Sequence, residues 1–134
     1  PFVKKNDGYQ GGEVAEFTLA RQYMAKGDFQ KALKLLEGVK LKDTYGPVMA
    51  LGLRGDCYSE LGKYKDAMEM YVDAAEEDEN EWTTPTYLFK AAQVAEEIKD
   101  FAKAKELYER INQDYYMFGQ QKTIDKYIAR VSNK

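Results

Sequence analysis

At 134 residues the chain is large enough to bury a core of its own and short for two domains. Its 20 Lys and Arg stand against 23 Asp and Glu, a balance that argues against a nucleic-acid role, which needs a concentrated basic face. With no histidine and a single cysteine, Cys57, it lacks the commonest general base, the commonest transition-metal ligand, an internal disulfide and a multi-cysteine metal site; no cofactor or metal is expected, and catalysis is disfavoured.

No apolar run approaches the ~20 residues of a membrane span. The start, Pro1-Phe2-Val3, with no Met and no signal-type apolar segment, reads as a fragment or a processed product and leaves a removed anchor or signal open. Residues 1–12 hold Gly8, Gly11 and Gly12 among Lys4, Lys5, Asn6 and Asp7 without any period. They are expected to form a flexible arm or a remnant of upstream structure, with Phe2 and Tyr9 able to dock on the first hairpin.

From Glu13 to Lys26, Val14, Phe17, Ala20 or Arg21, and Met24 keep helical spacing, and Gly27 ends the run. Asp28 is an N-cap for a second helix through Ala32, Leu33, Leu35 and Leu36 to Val39. After a polar link, Pro47 suits the first turn of a third helix whose inward stripe is Val48, Leu51, Gly55 and Tyr58. Tyr64, Ala67, Met68, Tyr71 and Ala74 mark a fourth. The run from Glu76 to Glu81 opposes the macrodipole at that helix's end, so fraying into a solvated loop is expected there, and a cation site lacks its ligand spacing. Trp82 is expected to pack on the neighbouring hairpin rather than bind a ligand.

Thr84-Pro85 reads as N-cap and first helical residue, followed by Leu88, Ala91, Ala92, Ala95 and Ile98. Phe101, Ala104, Leu107, Tyr108 and Ile111 form the next helix. Tyr115, Tyr116, Met117 and Phe118 sit in an aromatic link, and a last helix over residues 120–131 places Ile124, Tyr127, Ile128 and Val131 on one face and Lys122, Asp125, Lys126 and Arg130 on the other. Seven helices are predicted.

One spacing organises them. Gly-x-aromatic-x-x-Ala occurs at Gly27-Phe29-Ala32 and Gly62-Tyr64-Ala67, and again at Phe101-Ala104 with Lys99 in the glycine's place. The aromatics lie 35 and 37 residues apart, a period that marks stacked helical hairpins. The glycine closes the first helix in a left-handed conformation, and the alanine lets two helices approach closely. Seven residues after the aromatic, Leu36, Tyr71 and Tyr108 reach toward the next hairpin.

These residues resemble the tetratricopeptide repeat family over residues 13–131, with its small positions at Ala20, Gly55 and Ala92 and its aromatic at Tyr23 and Tyr58. Departures are Ala95 for the third aromatic, Lys99 for the turn glycine, Glu16, Leu51 and Leu88 at the usual tryptophan, and no closing proline. The resemblance implies an all-α, right-handed solenoid of three hairpins plus a C-terminal capping helix, in one domain over residues 13–134. Its repeats would be residues 13–46, 47–83 and 84–118, and its cap residues 120–131.

The resemblance also implies a concave groove that binds peptide segments of other proteins. By motif position it would present Phe17, Arg21 and Met24, then Met49, Leu53, Asp56 and Glu60, then Phe89, Lys90, Gln93 and Glu96. The plain alternative for each is a groove-lining residue without a ligand. The family's clamp for a C-terminal dicarboxylate needs converging bases, and here only Arg21 and Lys90 offer them while Asp56 repels the ligand, so that clamp is expected to be missing. The Ile124–Arg130 ending and the acidic loop also resemble envelope-associated bacterial members of the family, some tethered to the inner membrane with their repeats in the periplasm. A periplasmic location is slightly favoured on that look alone.

Three function classes remain open. The leading one is a non-enzymatic interaction module or assembly scaffold with a protein or peptide partner, self-association included. The second is a structural segment of a larger, membrane-tethered protein whose groove is idle. The third is an enzyme using Asp56, Glu60 and Glu96, disfavoured because an open groove seldom desolvates a carboxylate enough to raise its pKa.

Overall fold

The computed structural model describes residues 10–134, with side chains from Val14 onward, and among these residues every regular element is a helix. The helices are α1 (Gln10–Ala25), α2 (Phe29–Gly38), α3 (Tyr45–Glu60), α4 (Tyr64–Glu77), α5 (Thr83–Glu97), α6 (Phe101–Asp114), α7 (Tyr116–Gln121) and α8 (Ile124–Ser132). Each of α1 to α6 packs on the next, and α8 returns against α6. Three hairpins therefore follow one another, as the repeat predicts.

The three hairpin turns are built alike. The amides of Asp28, Lys63 and Asp100 each reach back 2.8 Å to the carbonyls of Tyr23, Tyr58 and Ala95. The residue before each, Gly27, Gly62 or Lys99, has φ of 81°, 76° or 63° and bonds the carbonyl of Met24, Ser59 or Glu96. This pair of bonds satisfies the last carbonyls of the first helix and requires a left-handed residue, which glycine supplies without steric cost. The predicted cap at Asp28 accepts from the Lys31 amide, and Asp100 repeats it with Lys103, whereas Lys63 has no side chain able to accept.

Alanines at the crossings are fully buried at Ala20, Ala32, Ala67, Ala92 and Ala104. The core falls into two clusters. A small one joins Ala20, Ala32, Leu33 and Leu36 of the first hairpin to Cys57 of the second. A larger one runs from Ala67 and Tyr71 through Leu88, Leu107, Tyr108 and Ile111 to Ile124 and Val131.

Four expectations need correction. Helix α1 starts at Gln10, so residues 10–12 of the expected arm are helical, while the expected docking of Phe2 and Tyr9 lies outside the described residues. The predicted single cap over residues 120–131 is two helices, α7 and α8, because Thr123 turns the chain at φ 51° and lets Ile124 and Val131 lie on the third hairpin; eight helices are seen among the described residues instead of seven. Thr84 is not a cap but a buried residue inside α5, whose hydroxyl donates to the Ala75 carbonyl at 2.9 Å. Trp82 does not pack on a neighbouring hairpin, being 75% exposed.

Candidate functional site

The first helices α1, α3 and α5 carry the residues expected to form a groove, and two adjoining clefts of about 430 Å³ each lie along them. Met24, Asp56 and Glu60 line one together with Phe29 and Tyr71. Asp56, Lys90 and Gln93 line the other together with Tyr64, Tyr71 and Glu97. Asp56, Ser59 and Tyr71 line both, so the two clefts adjoin across these side chains.

Asp56 is the crossing point of that groove. The Tyr71 hydroxyl donates to its Oδ1, and Lys90 Nζ of the next repeat donates to the same oxygen at 3.0 Å. Lys90 also lies 5.3 Å from the centre of the Tyr71 ring and 6.0 Å from that of Tyr87, while the two rings stack on one another. Burial, and then the bond to Asp56, push the Tyr71 phenol well above its ordinary range, so it stays a neutral donor. Gly55 permits this arrangement, because a Cβ there would stand 2.6 Å from the Tyr71 ring.

The same clasp recurs one repeat later with different helices. The Tyr108 hydroxyl donates to Glu96 at 2.6 Å, and Arg130 of α8 donates to both Glu96 oxygens at 3.0 and 2.6 Å. Burial and the Glu96 bond raise the Tyr108 phenol in turn. Phe89 belongs to this assembly: it meets Tyr127 edge to face at 5.4 Å and packs near Tyr108 and Phe118.

The expected groove residues thus divide. Met24, Asp56, Glu60, Lys90 and Gln93 are brought together along the clefts. Glu96 and Phe89 are covered by the chain's own last helix. Phe17 and Leu53 pack against the small core cluster, and Arg21 and Met49 are exposed but line neither cleft. Motif position does not mark Tyr71, Tyr64, Ser59 and Glu97 as groove residues. The one signal for them is Tyr71 itself, a tyrosine where the first repeat has Leu36, since a buried hydroxyl needs a partner.

The three carboxylates considered for catalysis do not converge: Asp56 and Glu60 share a cleft, while Glu96 is held by Arg130. Among the described residues no three His, Cys, Asp or Glu side chains are grouped as a metal site requires, and no helix is long and apolar enough to cross a membrane.

Searches of the curated proteins and of the solved structures found no match. Family models did match: that of a tetratricopeptide repeat-like domain over residues 2–95, and that of a tetratricopeptide repeat over residues 86–115. Together they span the three hairpins whose turns and alanine crossings repeat in this structure, and the chain belongs to the tetratricopeptide repeat family.

Proposed function

We propose that this chain is a non-enzymatic interaction module that holds an extended or helical segment of a partner protein in the groove along α1, α3 and α5. Domains of this family generally mediate protein–protein interaction. The observation that carries the reading is that two clefts, spread over α1, α3 and α5, adjoin at Asp56, Ser59 and Tyr71. Met24 and Phe29 offer apolar contact at one end, and Gln93 offers an amide at the other. Lys90 is already engaged by Asp56, so Glu60 and Glu97 set the charge that a ligand meets. A partner segment with apolar anchors is favoured, and a strongly acidic tail is repelled.

Phe89 is unsuited to testing this, because its removal would disturb the aromatic assembly under α8. The test is a Met24→Ala/Gln93→Ala variant, whose fold is checked by melting. A partner recovered with the parent domain should bind it at least tenfold more weakly. Unchanged affinity in a folded variant would move the interaction off the groove. A second reading, a structural segment with an idle groove, draws on the coverage of Phe89 and Glu96 by Tyr127 and Arg130. It predicts no partner loss in that variant and contacts made through the ends of the solenoid.

A further inference from the structure

A cleft of about 600 Å³ lies away from the groove, where the link between α4 and α5 meets the start of α7. Trp82, Tyr116 and Met117 line it at 75%, 58% and 76% exposure, and they are the three most exposed large apolar side chains among the described residues. Singly exposed apolar residues are ordinary; three in one cleft mark a contact surface.

The exposure of Trp82 is built in by its backbone. Asn80 Oδ1 accepts from the amides of Trp82 and Thr83 at 2.8 and 2.7 Å, and its Nδ2 donates to the Asp78 carbonyl and to Thr83 Oγ1. Thr86 Oγ1 donates to the Trp82 carbonyl at 2.8 Å. The buried Thr84 hydroxyl accepts from the Asn80 amide and ties the link to Ala75. The indole is thus carried outward on a fixed turn, which lowers the ordering cost of binding.

Charge identifies the occupant. The ionic side chains lining the cleft are Glu81 and Asp114, both acidic. Arg110 donates to Glu76 and Glu79 at 3.1 and 2.7 Å and pairs more loosely with Asp114 at 4.0 Å, which leaves Glu81 as the cleft's unpaired carboxylate among the described residues. Aromatic faces beside the Glu81 carboxylate, which no salt bridge neutralises among the described residues, attract a cation, and Met117 adapts to apolar neighbours of varied shape. We propose that this cleft docks a protein segment bearing an arginine or lysine flanked by apolar side chains, as a second contact surface independent of the groove.

Trp82 is the chain's single tryptophan, so its emission reports the cleft directly. The probe is a displayed library of random tryptophan-free dodecapeptides selected against the whole chain, with the enriched peptides then synthesised. Enrichment of Arg or Lys beside Leu or Phe is expected, with a saturable blue shift of Trp82 emission. Binding should weaken at least tenfold in Trp82→Ala/Met117→Ala and persist in Met24→Ala/Gln93→Ala. Glu81→Lys/Asp114→Lys should turn the preference toward acidic peptides. An empty selection, enrichment without basic residues, or peptides that bind the cleft variants as well as the parent would overturn the proposal. So would a blue shift produced by raising protein concentration alone, which would make a second copy the occupant.

Discussion

The first repeat meets the second very differently from how the second meets the third. At the first junction Leu33 and Leu36 of α2 lie in the small apolar cluster with Cys57 of α3, and no ion pair crosses it among the described residues. The second junction has the large cluster, the Tyr71–Asp56–Lys90 clasp and Arg110 of α6 bonded to Glu76 and Glu79 beyond the end of the cluster. The third, between α6 and α8, repeats the clasp with Tyr108, Glu96 and Arg130. One repeat position, Leu36, Tyr71 or Tyr108, separates the plain junction from the clasped ones. In a solenoid, stability is close to a sum of repeat and neighbour terms, so the weaker junction is where the chain should open first.

The largest effect is expected at the clasped end. Ending the chain after Gly119 removes Ile124 and Val131, both buried, along with the Arg130–Glu96 pair. At 1.5–3 kcal/mol for each large apolar side chain, the loss is about 3–6 kcal/mol, and Leu107, Tyr108 and Ile111 become bare. The truncated protein should melt lower or self-associate in size-exclusion chromatography. A monomer with unchanged melting would show that α8 contributes nothing as a cap.

At the plain junction Leu36→Ala should cost about 2–5 kcal/mol. Its effect can be read locally, because Cys57 is buried there and burial pushes its thiol up to about 11, with Asp56 and Glu60 adding to the shift. A thiol reagent therefore reaches Cys57 only through opening. Labelling should speed up more for Leu36→Ala than for an equally destabilising change in the third repeat such as Leu107→Ala. Equal acceleration would mean that the two junctions open together.

Gly55→Ala tests the clasp from inside. Alanine favours the helix by up to about 1 kcal/mol, but its Cβ would meet the Tyr71 ring, which is 4% exposed and cannot swing away. Overpacking of this kind costs about 1–3 kcal/mol, so a net loss of about 0–2 kcal/mol is expected, and Tyr71→Phe/Gly55→Ala should lose little beyond Gly55→Ala alone. Additive losses in the double variant would separate the glycine from the clasp.

The hairpins are legible in the sequence because their signals are local: an aromatic two residues after the turn residue and an alanine three further on recur in all three, with glycine at the first two turns. The clasps are not, because Asp56 and Lys90 come together only once two repeats stack, and a charge in sequence looks the same whether it is paired or free. Phe89 reads as a groove anchor for the same reason; the ring that covers it, Tyr127, arrives from α8. The break at Thr123 has no composition signal, since a β-branched residue is a poor choice for a left-handed turn and tertiary packing of Ile124 imposes it. Trp82 misleads because a large apolar side chain usually buries itself, and nothing local reveals that Asn80 fixes its backbone facing outward.

The smallest expected effect lies in the turns, where the comparison between repeats is cleanest. Gly27 and Gly62 have open space where a Cβ would be, so replacing either by alanine strains only the backbone and, offset by a stiffer unfolded chain, should cost about 0.5 kcal/mol. Lys99 already bears that strain at φ 63° in an otherwise identical turn. Lys99→Gly relieves it but frees the unfolded chain, which leaves a net gain of about 0.5 kcal/mol. Lys99→Ala keeps a Cβ and should change nothing. Lys63→Asp supplies the cap that Asp28 and Asp100 have and should add about 1 kcal/mol. Melting curves of the three single variants decide it. A gain from Lys99→Ala equal to that from Lys99→Gly would trace the effect to the lysine side chain rather than to the left-handed backbone, and the equivalence of the three turns would fail at the third.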